Sequence, residues 1–178
     1  ASVTTAAITN SSNAVVQSTE TGTAYLVKTT VSVSNLASIT GAADSQWNSV
    51  AISSANTNTN LAATGLVDGT YKVYAVDAAG NLSSASTNSV TLDTTAPTVS
   101  SVSTTADNQS SVSITDNITV TFSEAMDTTY VTTNTSDTYC SGTIRVSSDN
   151  FSTCVKMSSS PASSNSDKTF TLDPYDNL

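Results

Sequence analysis

Apolar and polar residues alternate with a period of two along several stretches of this chain. Ile118-Thr-Val-Thr-Phe122 alternates throughout, and Thr169-Phe-Thr-Leu-Asp173 does so on a smaller scale. Tyr71-Lys-Val-Tyr-Ala-Val76 puts Tyr71, Val73 and Ala75 on one face, and the run Tyr25–Val33 ends in the same pattern. A period of two is the signature of a half-buried strand, because successive side chains point to opposite faces. Nowhere do apolar residues recur at helical spacing over three turns without being crowded by Ser, Thr or Asn. Clusters of turn residues separate the strand-like runs at the intervals of a sandwich. The pattern predicts an all-β chain.

Composition changes the picture in one respect. Of 178 residues, 66 are Ser or Thr, whereas charged residues make up only 11%. Low hydrophobicity usually goes with disorder when charge is high. Here the polar mass is hydroxyl-bearing, and β-branched Thr suits a pleated, half-wet sheet. Leu, Ile and Phe are sparse, so two small cores fit better than one large one.

The joint falls in Val90-Thr-Leu-Asp-Thr-Thr-Ala-Pro97-Thr-Val, where Pro97 fixes φ, removes a donor and keeps Ala96 extended. This predicts domains at residues 1–96 and 97–178. Two Lys against five acids give the first a charge of −3, and three bases against nine acids give the second −6.

The formal charge of −9 repels phosphate backbones and argues against nucleic-acid binding. No apolar run approaches the roughly 18 residues of a membrane span. The chain has no His, which removes His-based triads and His-zinc sites. Acid–base catalysis would fall to carboxylates such as Asp107, Asp116, Glu124 and Asp127, read more simply as solvent-facing acids at strand ends. Abundant Ser lacks an activating partner or elbow motif. The chain is therefore expected not to be an enzyme.

Cys140 and Cys154 are the only cysteines. No His or third Cys could complete a zinc site. Two buried free thiols are one reading. The preferred one is a disulfide closing a hairpin, with residues 140–146 and 151–157 as strands and Ser147-Ser-Asp-Asn150 as the turn. Such a bond implies an oxidising compartment. The chain opens at Ala1-Ser-Val-Thr with no visible signal peptide, so any targeting sequence is expected to have been removed or to lie outside this sequence.

Asp68-Gly-Thr-Tyr-Lys-Val-Tyr-Ala-Val-Asp77-Ala-Ala-Gly-Asn81, followed by Asn88-Ser-Val-Thr-Leu-Asp93-Thr-Thr-Ala-Pro97, resembles the closing strands and linker of bacterial immunoglobulin-like repeats found in tandem in large secreted adhesins. Asp116-Asn-Ile-Thr-Val-Thr-Phe122-Ser-Glu-Ala-Met-Asp127 resembles a different bacterial Ig-like family, known from surface-layer and cell-wall proteins. The resemblances imply two tandem Ig-like β-sandwiches on the outside of a bacterium. They also imply that the second sandwich lacks its last strands, so that the sequence is a fragment or a neighbouring subunit supplies the edge. They specify the module and leave its function open.

Candidate ligands follow from the same comparison. Asp77 and Asn81 bracket a Gly-containing turn, and Asp93 sits at the joint. If the strands pair as in the repeats, these three could hold calcium, which takes several oxygen ligands. The alternative is a tight turn in which Gly80 supplies a positive φ and Asp77 caps it. A cross-link from Lys28 or Lys72 to an Asn, as in some surface Ig-like domains, is selected by no spacing here. Six Asn-x-Ser/Thr sequons occur, at Asn10, Asn81, Asn108, Asn117, Asn134 and Asn150, and a bacterial source would leave them unmodified. Trp47 is expected to be the main core anchor, or else a platform for a sugar. Tyr25, Tyr71 and Tyr74 are expected in the core or on a sheet face.

Three functions remain: a non-catalytic spacer of a surface adhesin, a fibre subunit completed by strand addition, and a carbohydrate-binding accessory module. The expected partners are neighbouring Ig-like domains or identical subunits through strand edges, and glycans.

Overall fold

The computed structural model describes residues 1–104, 116–136 and 139–175. It is all-β, with one short α-helix and one 3₁₀ turn among the described residues. The chain divides into two compact units, Ala1–Thr95 and Ala96–Leu178, next to the joint expected at Pro97.

Unit 1 is a sandwich of two sheets. The smaller holds β1 (Ser2–Val3), β3 (Asn13–Gln17) and β6 (Thr59–Ala62), in the order β1-β3-β6. The larger holds β2 (Ala6–Ile8), β4 (Gly22–Lys28), β5 (Trp47–Ile52), β7 (Gly69–Asp77) and β8 (Val90–Leu92), in the order β2-β8-β7-β4-β5. The alternation decides which side chains meet between them. Ala14 and Val16 of β3, Ala24 and Leu26 of β4, Tyr71 and Val73 of β7, and Val90 and Leu92 of β8 are buried together with Leu61. All pairings are antiparallel except one: β2 runs parallel to β8, with Ala6 opposite Val90 and Ile8 opposite Leu92. The chain crosses from the small sheet to the large one between β1 and β2.

Two local expectations needed correcting. The strand begun at Tyr25 does not continue to Val33. It ends at Lys28, where the Val31 amide turns back onto the Lys28 carbonyl at 2.9 Å. Residues 36–40 then form helix α1 (Leu36–Thr40), which only its cap announces. The Asn35 side chain accepts from the Ser38 amide, and the Ser38 hydroxyl accepts from the Asn35 amide. A five-residue helix is too short to show a three-turn apolar stripe.

Among its described residues unit 2 carries one antiparallel sheet of β9 (Val99–Thr104), β10 (Ile118–Phe122), β11 (Ala162–Ser164) and β12 (Thr169–Leu172), in the order β11-β12-β10-β9. Ile118 faces Leu172 and Val120 faces Phe170, so the apolar halves of both alternating segments share one face. Phe122 meets Phe170 edge-on, with centroids 5.9 Å apart. The chain between β10 and β11 covers this face with Ile144, Val146, Val155 and the fully buried Met157.

That covering segment is irregular, and the expected hairpin is not made of strands. Residues 140–146 and 151–157 meet through a Val155 amide bond to the Val146 carbonyl, 2.9 Å. Between them Asn150 and Phe151 both take positive φ, 58° and 64°, which breaks the pleat. Hydroxyls replace ladder bonds nearby: the Thr132 amide donates to Thr143 Oγ1 (2.8 Å), and Thr133 Oγ1 donates to the Ile144 carbonyl (3.1 Å).

Gly22 opens β4 at φ 152°, and a Cβ there would collide with the Val76 carbonyl. Gly22→Ala is expected to destabilise unit 1 by about 2 kcal/mol or more, from strain and lost pairing together. Thermal melts of the variant check this. An unchanged midpoint would mean that the β4–β7 ladder tolerates a shift.

Candidate functional site

The three residues expected to share a cation do not meet. Gly69 of β7 pairs with Leu92, so Asp93 lies at the start of β7. Asp77 closes the same strand eight residues on, roughly 26 Å away at about 3.3 Å per residue. The calcium trio is therefore corrected to two separate turns, one at each end of β7.

At the far end, Asp77 Oδ1 accepts from the amides of Ala79 (2.9 Å) and Asn81 (2.8 Å), and Oδ2 accepts from Asn81 Nδ2 (2.7 Å). The Asn81 side chain and then its amide hold the Asp77 carboxyl below its usual range. Gly80 takes φ 90° between them. Both oxygens are spent on the turn, and Asn81 presents its amide nitrogen to Asp77. Among the described residues no three His, Cys, Asp or Glu side chains come together as metal ligands.

At the near end Asp93 Oδ1 caps the Thr95 amide (3.0 Å). The residue that organises this end is Asp68. Its Oδ1 accepts from the Thr94 amide (3.0 Å) and hydroxyl (2.8 Å), and its Oδ2 from the Thr95 hydroxyl (3.3 Å). The Thr94 hydroxyl is the main reason why its carboxyl is held low. Lys28 Nζ donates to the Asp68 carbonyl at 2.7 Å. Asp68 thus ties the entrance of β7 to the exit of unit 1. The signal was present in the sequence, as an Asp-Gly before the longest strand and a Thr-Thr pair after the last one.

Cys140 and Cys154 form a disulfide, with Cα atoms 4.9 Å apart. The bond closes the Ser147–Thr153 turn, whose centre is Asp149. That carboxylate accepts from the Thr153 hydroxyl (2.6 Å) and amide (2.9 Å) and from the Ser147 hydroxyl (2.8 Å). These bonds, led by the Thr153 hydroxyl, lower its pKa to about 2.

Asp127 caps a turn by accepting from the Thr129 amide at 2.9 Å. Glu124 has one buried oxygen, Oε1, with no partner among the described residues. Asp116 is half-buried just before β10. Asp107 and the sequon at Asn108 lie outside the described residues.

Trp47 is not the core anchor. In the β4–β5 ladder Asn48 stands opposite Leu26 and Val50 opposite Ala24, so those positions face inward. Trp47 stands opposite Val27 on the outer face, half-buried, its ring 5.9 Å from that of Tyr25. Tyr74 pairs directly with Tyr25 on the same face. Tyr71 takes the anchoring role: it is fully buried and donates its hydroxyl to the Val67 carbonyl at 2.5 Å. Trp47 Nε1 is shielded and meets no acceptor among the described residues. Leaving a buried donor unpaired costs about 1–3 kcal/mol.

Around Trp47 lies an open groove of about 550 Å³, lined by Asp44, Ser45, Asn48, Ser49, Thr64 and Gly65 in addition to the indole. Of the other residues singled out in the sequence, Asp77 and Asn81 line a smaller cleft of about 180 Å³.

The alternating sheet, its aromatic pair and the disulfide-closed cover belong to one segment, and that segment has a relative. Residues 93–178 match the family model of the bacterial Ig-like domain. The bacterial Ig-like match takes in the whole of unit 2 and starts at Asp93, just ahead of it. No curated protein and no solved structure matches the chain.

The Asp149 turn yields a pH signature. A carboxyl depressed in the folded state stabilises above its unfolded pKa and loses that contribution as pH falls through the folded value. For Asp149 the window runs from the usual 3.8 down to about 2. Unit 2 of the wild type is expected to lose stability more steeply across that window than the Asp149→Asn variant. Melts at a series of acid pH values check it, and parallel curves would refute the role of the turn.

Proposed function

We propose that the protein is a non-catalytic spacer module of a bacterial surface protein, built to carry tension between its ends. The bacterial Ig-like match of unit 2 supports the module type. The disulfide fits an oxidising, extracellular location.

The observation that carries the reading is the parallel pair β2–β8. The two strands belong to opposite ends of unit 1, and they run side by side in the same direction. Tension applied through the chain pulls β2 toward its start and β8 toward its end. It therefore shears the pair along its axis, loading all the bonds at once. An antiparallel hairpin pulled at its open end would instead unzip bond by bond. One more bond, from the Asp93 amide to the Ile8 carbonyl at 3.0 Å, extends the pair. Asp68 then pins Thr94 and Thr95 directly downstream.

Single-molecule stretching of the whole chain tests this. Unit 1 is expected to unfold in one sharp event, and Ala7→Pro, at the middle of β2, to lower the force of that event. A force that Ala7→Pro leaves unchanged would remove the shear pair from the mechanism.

A second reading, a fibre subunit completed by strand addition, is favoured by one feature. Among the described residues β9 is an edge strand, and it leaves Val99 and Val102 56% and 62% exposed, a surface that invites another strand. Sedimentation over a range of concentrations separates the two: a monomer throughout supports the spacer, and an ordered polymer supports the fibre.

A further inference from the structure

We propose that the groove at Trp47 is a binding site for a neutral oligosaccharide. This goes beyond the spacer reading and does not depend on it.

The one aromatic residue that lines the groove is Trp47. Trp47 sits on the outer face of β5, the edge strand of the large sheet, with Tyr25 beside it. Its Nε1 is turned into the protein, so the part of the ring that lines the groove is hydrocarbon. Such a surface matches the carbon-bound hydrogens on one face of a pyranose ring.

The rim is polar. Asp44, Ser45, Ser49 and Thr64 line the groove, and no hydrogen bond from the described residues engages their carboxylate or hydroxyl groups. They suit a ligand that carries hydroxyls at its edges and an apolar face. A hydrophobic peptide would leave the same groups buried and unpaired.

The lips are already fixed. The Val67 amide donates to the Ser45 carbonyl at 3.1 Å, and the Tyr71 hydroxyl lies 3.4 Å from the same oxygen. Asn48 Nδ2 donates to the Ala62 carbonyl at 2.9 Å. These bonds tie the 3₁₀ turn Asp44–Gln46 and the Thr64-Gly65 turn to the sandwich, so binding would order little that is not ordered already. The volume, about 550 Å³, lies within the roughly 300–1,000 Å³ of small-ligand clefts.

Charge selects among sugars. Asp44 stands at the rim and the chain carries −9, so anionic polysaccharides are repelled and neutral ones are not.

Trp47 is the sole tryptophan, so its emission reports this groove alone. Titration of the whole chain with cellohexaose and with chitohexaose is expected to give a saturable change in emission for at least one of them. Thr64→Arg, which fills the groove from an exposed position and keeps the reporter, is expected to weaken that binding at least tenfold. Trp47→Ala is expected to abolish it by calorimetry. If Trp47→Ala fails to fold, Thr64→Arg decides. Emission that stays flat with both sugars at millimolar concentration would overturn the proposal. So would binding indifferent to Thr64→Arg, or saturation of the signal by hexaproline in place of the sugars.

Discussion

The ladder between β4 and β7 is the constraint on which unit 1 depends. Seven residue pairs, from Gly22 opposite Asp77 to Lys28 opposite Tyr71, lock these two strands at the centre of the large sheet. Because side chains alternate, this single register sends Ala24, Leu26, Tyr71 and Val73 into the core and Tyr25 and Tyr74 to the opposite face. A slip of one residue would exchange the two sets. The length of β7 also puts Asp68 and Asp77 at opposite ends of the module, which is why one organises the exit and the other only a turn. Gly22 protects the register at a point where any Cβ would strike the Val76 carbonyl.

Hydroxyls finish what the ladders leave open. Beyond Tyr71 the short strand β8 no longer covers β7, yet Val73 and Ala75 keep their amides bonded. Ser86 Oγ and Ser83 Oγ accept them, each at 2.9 Å, while the Ser86 and Ser83 amides return to the Val73 and Ala75 carbonyls. Thr132 and Thr143 do the same over the irregular cover of unit 2. A buried backbone group must find a partner. In a chain so rich in Ser and Thr, a side chain can supply that partner without a further strand. The abundance of Ser and Thr thus has a structural use that a reading in terms of strand propensity alone overlooks.

This also explains what could and could not be read from the sequence. Strict alternation located β7, β10 and β12, because a half-buried strand must alternate. Two cysteines with no other soft ligand pointed to their own bond. The strands flanking that bond were not readable, since Asp149 and two positive-φ residues build a side-chain-held turn where a pleat was expected. Trp47-Asn-Ser-Val-Ala-Ile52 placed a large side chain on one face and smaller apolar ones on the other. Bulk suggested that Trp47 was inside, and pairing with β4 put it outside. The calcium trio failed for a related reason: the strand pairing assumed for it brought the Asp77–Asn81 turn up to the connector, and the length of β7 carries that turn to the opposite end from Asp93.

Strand order separates the two roles suggested for unit 1. In β2-β8-β7-β4-β5, the sheared pair forms one edge of the large sheet and the Trp47 strand forms the other. Tension that has passed the two-residue β1–β3 contact enters the large sheet at β2 and leaves at β8, its immediate neighbour, and the β4–β5 pair lies outside that path. The pairing of Val27 with Trp47 and of Tyr25 with Ser49 is therefore not strained until the β2–β8 pair has already failed. A groove on β5 can keep its shape while the module is stretched, so a ligand held there would not be released by the tension that a spacer transmits. A groove next to β2 would open with the first slip of the shear pair.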